Sequence, residues 1–284
     1  MKKNQKPLKK VTHIYDEETN QYLPIVDRIE EFRKKSKPSS AAGFKKKRKE
    51  KIRALKKLKP KKPPPPGGVG YGVYYQKSFQ WKFTNFSCLD FGILLPESAG
   101  GNSGNYLYLT ATNGTAYGVE ALASYNGQEE PYFKIFDWAK AETDRWSLSI
   151  AFSQVEANLS MVTVNGKMLR YCRILNRSEM ISPGVWENKV CLFNFRNQNW
   201  DLVYNYQYPM EPDKQKDDYQ GSWGPIVECF QEKYEQLNPM GFYKAMLYND
   251  AHSPKLTIQN TSIRNDNEGI EVIYIDRNWV YYVS

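Results

Sequence analysis

Acidic side chains near tryptophan are the residues of this chain whose types could support a hydrolytic reaction. Glu120 lies inside the apolar run from Tyr117 to Tyr125, and Glu228 follows Trp223 in the stretch GSWGPIVECF. Two carboxylates about 5–10 Å apart on one sheet face are what cleavage of a glycosidic bond requires. Glu120 and Glu228 are therefore the candidate catalytic residues of a glycoside hydrolase or lyase. The alternative is that each carboxylate faces solvent or is hydrogen-bonded to a neighbouring strand.

Tryptophan next to polar or flexible residues indicates a second kind of site. Aromatic faces stack on the C–H faces of sugar rings, while nearby acidic and amide groups bind the hydroxyls, which together would form a lectin-type surface. Packing in the core is the alternative, because large aromatics dominate the interiors of sandwich folds. The candidate ligand-binding residues are Trp138, Trp200, Asp201, Tyr204 and Trp223.

Residues that could hold a metal or a cofactor are few. The chain has two histidines, His13 and His252, so a catalytic triad or a histidine-rich metal site would depend on His252 alone. The loop from Asn265 to Gly269 offers oxygen ligands that would suit calcium, but a β-turn uses the same residue types. The four cysteines show no CxxC spacing, so neither a zinc site nor a disulfide framework is indicated. Cys172 and Cys191 lie inside strand-like runs, which predicts buried free thiols in a reducing interior. We expect no cofactor and no metal.

A lysine-rich stretch in the N-terminal part predicts contact with a polyanion. Lysine and arginine clustered in this way neutralise phosphates on RNA, DNA or anionic lipid and make binding depend strongly on salt. The alternative is a solvated, disordered tail. The candidate polyanion-binding residues are Lys45, Lys46, Lys47, Arg48, Lys49, Lys51, Arg53, Lys56, Lys57 and Lys59.

Charge divides the 284 residues into two parts. Residues 1–67 hold 22 Lys and Arg against 7 Asp and Glu, a balance of +15, whereas residues 68–284 hold 18 against 24, a balance of −6. Pro63 to Pro66 form a stiff segment that ends the basic part. We therefore predict a basic, mostly non-globular arm over residues 1–67 and a β-sandwich domain over residues 68–284.

The arm contains two short patterns of its own. The stretch from Val11 to Ile25 has apolar-aromatic pieces on either side of an acidic turn, which indicates a small hairpin or a docking peptide. Pro24 to Lys35 carries apolar residues at helical spacing, which predicts a short amphipathic helix that needs something to dock on.

A strand–turn–strand pattern lies at the centre of the second part. Lys189 to Phe195 is short and apolar, with Cys191, Phe193 and Phe195 recurring at every second position. Polar residues at 196–199 supply turn chemistry, and Trp200 to Tyr206 then alternates again, with Trp200, Leu202, Tyr204 and Tyr206 on one face. Two alternating runs around a short polar turn predict a β-hairpin.

Similar patterns recur through the second part of the chain. About a dozen strand-like runs follow one another with turn signals between them, among them Asn165-Gly166, the signature of a two-residue hairpin turn. The stretch 223–230 is interpreted as a strand, although residues 225–237 also show helical spacing. The pattern predicts an all-β, antiparallel two-sheet sandwich of jelly-roll type.

By size, strand count and aromatic content, residues 68–284 resemble the concanavalin A-like lectin and glucanase sandwich. The resemblance implies a lectin or a carbohydrate-cleaving fold, but the Glu-x-Asp-x-x-Glu pattern of the glucanases is absent. A viral jelly roll with a basic arm is a second resemblance of the same kind, and it implies a coat protein.

Three functional hypotheses follow. The leading one is a non-catalytic, lectin-like module that binds a glycan and is tethered to a polyanion by its basic arm. The alternatives are a structural coat or assembly protein whose arm contacts nucleic acid, and a glycoside hydrolase or lyase. No secretory signal and no apolar run of membrane-spanning length are present, so we expect an intracellular location.

Overall fold

The computed structural model of the chain is built almost entirely of β-strands. The residues that the structure describes are 12–16, 19–37, 73–80, 88–95, 106–112, 119–124, 130–137, 146–164, 166–182, 184–209, 224–231, 241–248, 254–257, 262–266, 270–275 and 278–283. Within them the strands form two large sheets and one separate two-stranded hairpin, and one short α-helix lies near the N-terminus. The prediction of an all-β sandwich is confirmed.

The first sheet contains nine of the described strands. Its bounds are β1 (His13–Asp16), β2 (Gln21–Asp27), β4 (Cys88–Leu95), β9 (Ser160–Val164), β10 (Lys167–Ser182), β11 (Val185–Asn194), β12 (Asn199–Pro209), β14 (Gly241–Tyr248) and β15 (Pro254–Thr257). They are ordered β1-β2-β12-β11-β10-β4-β14-β15, and β9 pairs with the first part of β10. Neighbouring strands run antiparallel except β2 and β12, which pair in parallel, so this junction departs from the predicted antiparallel sheet.

The second sheet contains seven of the described strands. Its bounds are β3 (Val73–Gln80), β5 (Tyr106–Thr112), β6 (Val119–Ser124), β7 (Tyr132–Asp137), β8 (Leu148–Ala151), β13 (Gly224–Gln231) and β16 (Ser262–Asp266). They are ordered β16-β3-β13-β5-β6-β7-β8, so β8 forms one edge. The strands β17 (Ile270–Ile275) and β18 (Asn278–Val283) form the separate hairpin. The strand interpretation of residues 223–230 is confirmed by β13, whereas the sequence pattern missed β14.

The predicted central hairpin is formed by β11 and β12. Phe193 pairs with Trp200 across a four-residue turn, in which Gln198 has a φ of +52°. A bulge shifts the register, so that Leu202 pairs with Cys191 whereas Tyr204 pairs with Val190. An extra residue in one strand re-aims the side chains that follow it. The prediction that Trp200, Leu202, Tyr204 and Tyr206 share one face is therefore wrong.

The two faces of this hairpin belong to different cores. Trp200 and Leu202 pack with Ile14 of β1 and Leu23 of β2, the two strands that extend the same sheet beyond β12. The side chain of Tyr204 instead reaches β7 of the second sheet. The sandwich interface lies between β10 and β11 on one side and β6 on the other.

The N-terminal residues form a hairpin and a helix that pack on both sheets. We call residues 12–37 the N-terminal strap. Its strands β1 and β2 pair antiparallel, and the helix α1 (Ile29–Lys35) follows. The carboxylate of Asp27 accepts a hydrogen bond of 3.0 Å from the amide of Ile29, and Lys35 pairs with Glu31 at 2.8 Å on the solvent side. The predicted hairpin and amphipathic helix are both confirmed.

The strap connects the two sheets. Its strand β2 pairs with β12, and its helix contacts both β12 and β8, with Phe32 fully buried. Beyond the helix, the amide of Lys37 donates to the carbonyl of Ser149 in β8 at 2.8 Å. The prediction of a mostly non-globular arm is thus wrong for residues 12–37, because burial of apolar side chains and backbone pairing hold them on the body. The boundary at residue 67 lies outside the described residues and stays a prediction.

No helix among the described residues is long and apolar enough to cross a membrane.

Candidate functional site

A buried carboxylate lies at the interface of the two sheets. Asp137, the last residue of β7, is 1% exposed. The hydroxyl of Tyr204 donates to Asp137 Oδ2 at 3.0 Å, and Asn188 Nδ2 donates to Asp137 Oδ1 at 3.1 Å. Hydrogen bonds to both oxygens stabilise the ionised carboxylate, which would otherwise be costly to bury.

The same network extends along the first sheet. Asn188 Oδ1 accepts hydrogen bonds from Ser178 Oγ at 2.8 Å and from Trp186 Nε1 at 3.0 Å, and all three side chains are buried. Burial raises the pKa of the Tyr204 hydroxyl above its ordinary value, and the negative charge of Asp137 raises it further. Tyr204 therefore stays a neutral donor, and the network acts as a polar connection between the sheets.

A second buried cluster joins the strap to the first sheet. Arg173 of β10 is 3% exposed, and its Nε donates to Asp90 Oδ1 at 3.0 Å while one terminal nitrogen donates to Asp16 Oδ1 at 3.0 Å. The guanidinium carbon lies 5.4 Å from the ring centre of Phe193 and 4.9 Å from that of Trp200. Burial alone would lower the pKa of Arg173, but the Asp90 carboxylate raises it above its ordinary value.

A third cluster surrounds Asp201, one of the predicted ligand-binding residues. Asn158 and Asn194 each donate to Asp201 Oδ2 at 2.9 Å, and Asn199 donates to Oδ1 at 2.9 Å. All four side chains are buried. Asp201 therefore fixes the turn of the β11–β12 hairpin and its neighbouring loop, and its carboxylate does not face solvent.

A fourth group lies at the β8 edge of the second sheet and is partly open to solvent. The ammonium of Lys134 in β7 lies 5.6 Å from the ring centre of Tyr132 and 5.3 Å from that of Trp146. Both rings are half-buried. Lys134 pairs across the strands with Ser149, the residue to which Lys37 of the strap is bonded. Lys37, the last described residue before the predicted polyanion-binding residues, therefore lies beside this group.

The strand register separates the two candidate catalytic residues. Thr110 of β5 pairs with Ile226 of β13 on one side and with Leu122 of β6 on the other. Glu228 lies two residues beyond Ile226, and Glu120 lies two residues beyond Leu122 in the opposite direction along the sheet. Four residue steps and two strand spacings place their Cα atoms about 16 Å apart. The register argues against joint acid–base action, which needs carboxylates about 5–10 Å apart.

The predicted ligand-binding residues that the structure describes are all in the interior. Trp200 is 0% exposed, and Asp201 and Tyr204 are also buried. They take part in the three internal networks above, so none of them can stack on a sugar ring in solvent. Trp138, Trp223 and His252 lie outside the described residues, as do the predicted polyanion-binding residues, which span positions 45–59.

The described residues contain no cluster suited to a metal ion, and the thiols of Cys172 and Cys191 are buried. No cluster of three or more His, Cys, Asp or Glu side chains suited to a metal occurs there. Asn265 and Asp266 end the strand β16, and the rest of the predicted calcium or turn loop lies outside the described residues. Burial raises the pKa of the Cys172 thiol to about 12, and the pKa of Cys191 likewise to about 12. Both cysteines are free and buried, as predicted.

Sequence reasoning missed the residues of the Arg173 cluster. Their signal was a charged residue inside an apolar strand, Asp90 in CLDFGILL and Arg173 in YCRIL. A buried charge of this kind requires a partner of opposite sign. The pairing itself could not be read, because Asp16, Asp90 and Arg173 lie far apart in the chain.

Comparison with known proteins gives a likeness in structure only. No family model matches the chain, and no curated protein matches it. Among solved structures, scytalido-glutamic peptidase with a peptide-based transition state analog is 9% identical with a TM-score of 0.43. SCP-B, a member of the eqolisin family of peptidases, in complex with the tripeptide Ala-Ile-His is 9% identical with a TM-score of 0.44. Each comparison covers 75% of this chain and 100% of the peptidase chain.

Burial of the predicted carbohydrate-binding residues corrects the leading functional hypothesis. The described residues assigned to the carbohydrate surface, Trp200, Asp201 and Tyr204, are all buried. The prediction of a non-catalytic, lectin-like module is therefore wrong. The resemblance to concanavalin A-like proteins holds only at the level of a β-sandwich. At this identity and these TM-scores, the likeness to peptidases assigns no activity to the chain.

Proposed function

We propose that this protein is a structural, assembly-type protein whose lysine-rich segment contacts nucleic acid. Residues 38–72, hereafter the basic segment, contain 12 Lys and Arg and a single acidic residue, Glu50. The remainder of the chain from residue 73 onward is mildly acidic. Such focused charge supports binding to a phosphate backbone, because each neutralised phosphate releases counterions.

The observation that carries the proposal is the attachment of the basic segment at both of its ends. The amide of Lys37 donates a hydrogen bond to the carbonyl of Ser149 in β8, and Val73 begins β3 of the same sheet. Four strands separate β8 from β3, and the register offsets Val73 from Ser149 by five residues along the strands, so the two attachment points are about 29 Å apart. The basic segment therefore joins two described sites on the sandwich and is not a terminal tail.

The internal networks support a structural role for the sandwich itself. The carboxylates of Asp137 and Asp201 accept several hydrogen bonds each from buried side chains. These groups fasten the two sheets and the central hairpin, which favours a rigid scaffold. A structural protein that presents a basic segment to nucleic acid requires such rigidity more than it requires an open pocket.

Binding to nucleic acid at several salt concentrations tests the proposal. Fluorescence anisotropy with a labelled oligonucleotide should give an affinity that falls steeply between about 50 and 200 mM salt. Replacing Lys45, Lys46, Lys47 and Lys49 by Gln should reduce the slope of log affinity against log salt by about 3 for a single strand. The matched control replaces Lys2, Lys3, Lys6 and Lys9 by Gln, which removes the same charge outside the basic segment.

Two outcomes would overturn the proposal. One is a control variant that loses as much of the salt dependence as the variant in the basic segment, because the segment would then have no special part in binding. The other is sustained turnover of a denatured protein or an oligosaccharide by the purified chain. Light scattering with and without nucleic acid tests the assembly role, for which larger particles are expected on adding nucleic acid.

A further inference from the structure

We infer that β9 is a dimerisation edge, at which two copies of this chain pair their β9 strands antiparallel and join their first sheets. The inference rests on the proposed function and deepens it by naming the contact through which the assembly forms. Within the described part of the chain, β9 pairs with the first part of β10 and with no other strand. Its second edge can therefore accept a strand from a second copy.

One face of the β9–β10 hairpin is open to solvent. Met161 lies opposite Arg170, and Thr163 lies opposite Met168, so the four side chains share this face. Met161 is 44% exposed and Met168 is 61% exposed, and Thr163 is also exposed. Large apolar side chains that are exposed beside one another are typical of an interaction surface.

The opposite face of the hairpin is packed. Val164 lies in a buried cluster with Leu169 of β10 and Leu94 of β4, and Val162 packs against this cluster. The packing fixes the position of β9 on the body. The strand is thus a pre-formed template, so that pairing does not require its backbone to become ordered.

The end strands of the two sheets carry features that prevent pairing with another chain. Proteins protect such edges with charged residues, proline, charges that point inward or a covering segment. The strap covers β8, because the amide of Ser149 donates to Ser36 Oγ at 2.9 Å and its carbonyl accepts from the amide of Lys37 at 2.8 Å. β1 contains the buried, ion-paired Asp16. The other two end strands contain charged residues or proline: Pro254 and Lys255 in β15, and Arg264 and Asp266 in β16.

The sequence of β9 has none of these protective residues. The strand reads SMVTV, without charge, proline or glycine, and valine and threonine favour strand pairing. Such a strand pairs with a copy of itself without like-charge repulsion, whereas it offers no cation to a phosphate backbone. The partner that fits this edge is therefore a second copy of this chain and not nucleic acid.

Full overlap of the two strands fixes the register of the pair. A twofold axis through the middle of β9 places Val162 opposite its own copy and Met161 opposite Thr163 of the second copy. The two Arg170 side chains are then three strand spacings apart, about 14 Å, where salt screens their repulsion. Pairing over five residues gives a small interface, so we expect a weak dimer with a dissociation constant in the micromolar range.

Two double variants of β9 test the pairing by charge. Met161→Glu with Thr163→Glu places carboxylates opposite one another in the dimer, whereas Met161→Glu with Thr163→Lys places a carboxylate opposite an ammonium. Within one chain the two variants differ only at residue 163, whose cross-strand partner Met168 is uncharged. Sedimentation velocity at about 1 to 100 µM protein should show dimerisation of the wild type. The dissociation constant should be weaker by roughly tenfold or more in the Glu–Glu variant and should recover in the Glu–Lys variant.

Two further measurements provide controls. Tyr22→Glu, at a tyrosine of β2 that is 58% exposed, should dimerise as the wild type does. Amide hydrogen exchange of the wild type needs no variant to fold. Exchange in β9 should become slower as the protein concentration rises, whereas exchange in the end strand β1 should not change.

The outcomes separate this inference from the proposed function. The dimerisation edge is wrong if the wild type stays monomeric at about 100 µM, or if the Glu–Glu variant dimerises as the wild type does. It is also wrong if the Glu–Lys variant stays monomeric or if Tyr22→Glu removes the dimer. None of these results touches salt-dependent binding by the basic segment. A dimer through β9 in a protein that binds no nucleic acid would instead overturn the proposed function and leave the edge in place.

Discussion

Arg173 of β10 and Asp16 of β1 form a buried hydrogen-bonded ion pair of 3.0 Å between residues 157 positions apart in the chain. Asp16 is 0% exposed, and Arg173 also binds Asp90 of β4. The pair fastens the N-terminal strap to the middle of the first sheet. Because a buried charge needs a partner, the strap and the sheet depend on each other for stability.

Removal of Asp16 should therefore destabilise the fold. Loss of one member of a buried ion pair costs about 3–5 kcal/mol. Since Arg173 keeps its contact with Asp90, we expect Asp16→Ala to lower the free energy of unfolding by about 3 kcal/mol, at the lower end of this range. Urea unfolding monitored by tryptophan fluorescence measures it.

A surface ion pair of the strap provides the control for Asp16. Glu30 pairs with Arg33 at 2.6 Å, but both side chains are exposed, and such pairs contribute little. Glu30→Ala should leave the unfolding midpoint almost unchanged. Equal effects of the two substitutions would show that the buried pair does not hold the strap.

The contact between Tyr204 and Asp137 should contribute to the joining of the two sheets. Tyr204→Phe removes the hydroxyl that donates to Asp137 Oδ2 and leaves a buried carboxylate with one donor fewer. A buried polar group that loses its partner costs about 1–3 kcal/mol. Urea unfolding should show a loss in this range, and amide hydrogen exchange should become faster in both β7 and β12.

Tyr22→Phe is the matched control for Tyr204, because it removes a hydroxyl from an exposed ring of β2. It should leave both the unfolding midpoint and the exchange rates unchanged. Faster exchange in β12 alone after Tyr204→Phe would contradict a role between the sheets.

The buried thiols should make stability fall at alkaline pH. In the folded state burial raises the pKa of Cys191 from 9.0 to about 12. Below pH 9 the thiol is protonated in both states and its contribution is fully present. Between pH 9 and 12 the unfolded chain ionises first, so stability decreases by up to about 1.4 kcal/mol per pH unit for each such thiol. Urea unfolding at pH 8, 9 and 10 measures this slope.

Comparing how steeply the free energy of unfolding falls with pH in different variants separates the contribution of Cys191 from those of the other groups that titrate in this range. Cys191→Ala should make the decline between pH 9 and 10 less steep by about 1 kcal/mol, whatever its effect at pH 8. Met161→Ala, at a half-exposed methionine of β9, should leave the slope as in the wild type. An identical decline in all three proteins would show that Cys191 does not ionise on unfolding.

The local patterns of the sequence were sufficient to predict most of the strands and the chemistry of several turns, although they missed β14. Alternation of apolar residues predicted the β11–β12 hairpin, and Asn165-Gly166 predicted the two-residue turn between β9 and β10, where Val164 pairs with Lys167. Helical spacing in residues 24–35 likewise predicted α1. Such patterns depend on near neighbours in the chain, and they are therefore present in the sequence itself.

The tertiary structure decided which core each face of a strand packs into and which polar residues lie in the interior. A single bulge beside Cys191 places Tyr204 in the sandwich interface and Trp200 in the core under the strap. Alternation alone cannot show such a shift, because one extra residue reverses every side chain that follows it. The described residues of the predicted carbohydrate surface are not available to a sugar, because both faces of β12 are buried from Trp200 to Tyr204.

The sequence by itself determined that this chain is an all-β protein with its positive charge concentrated in one segment, because strand pattern and charge are local properties. The position of the strap across both sheets, and the burial of Asp16, Asp90 and Arg173 together, were decided only by the tertiary structure. Those contacts join residues up to 157 positions apart, and no local pattern encodes which distant partners meet.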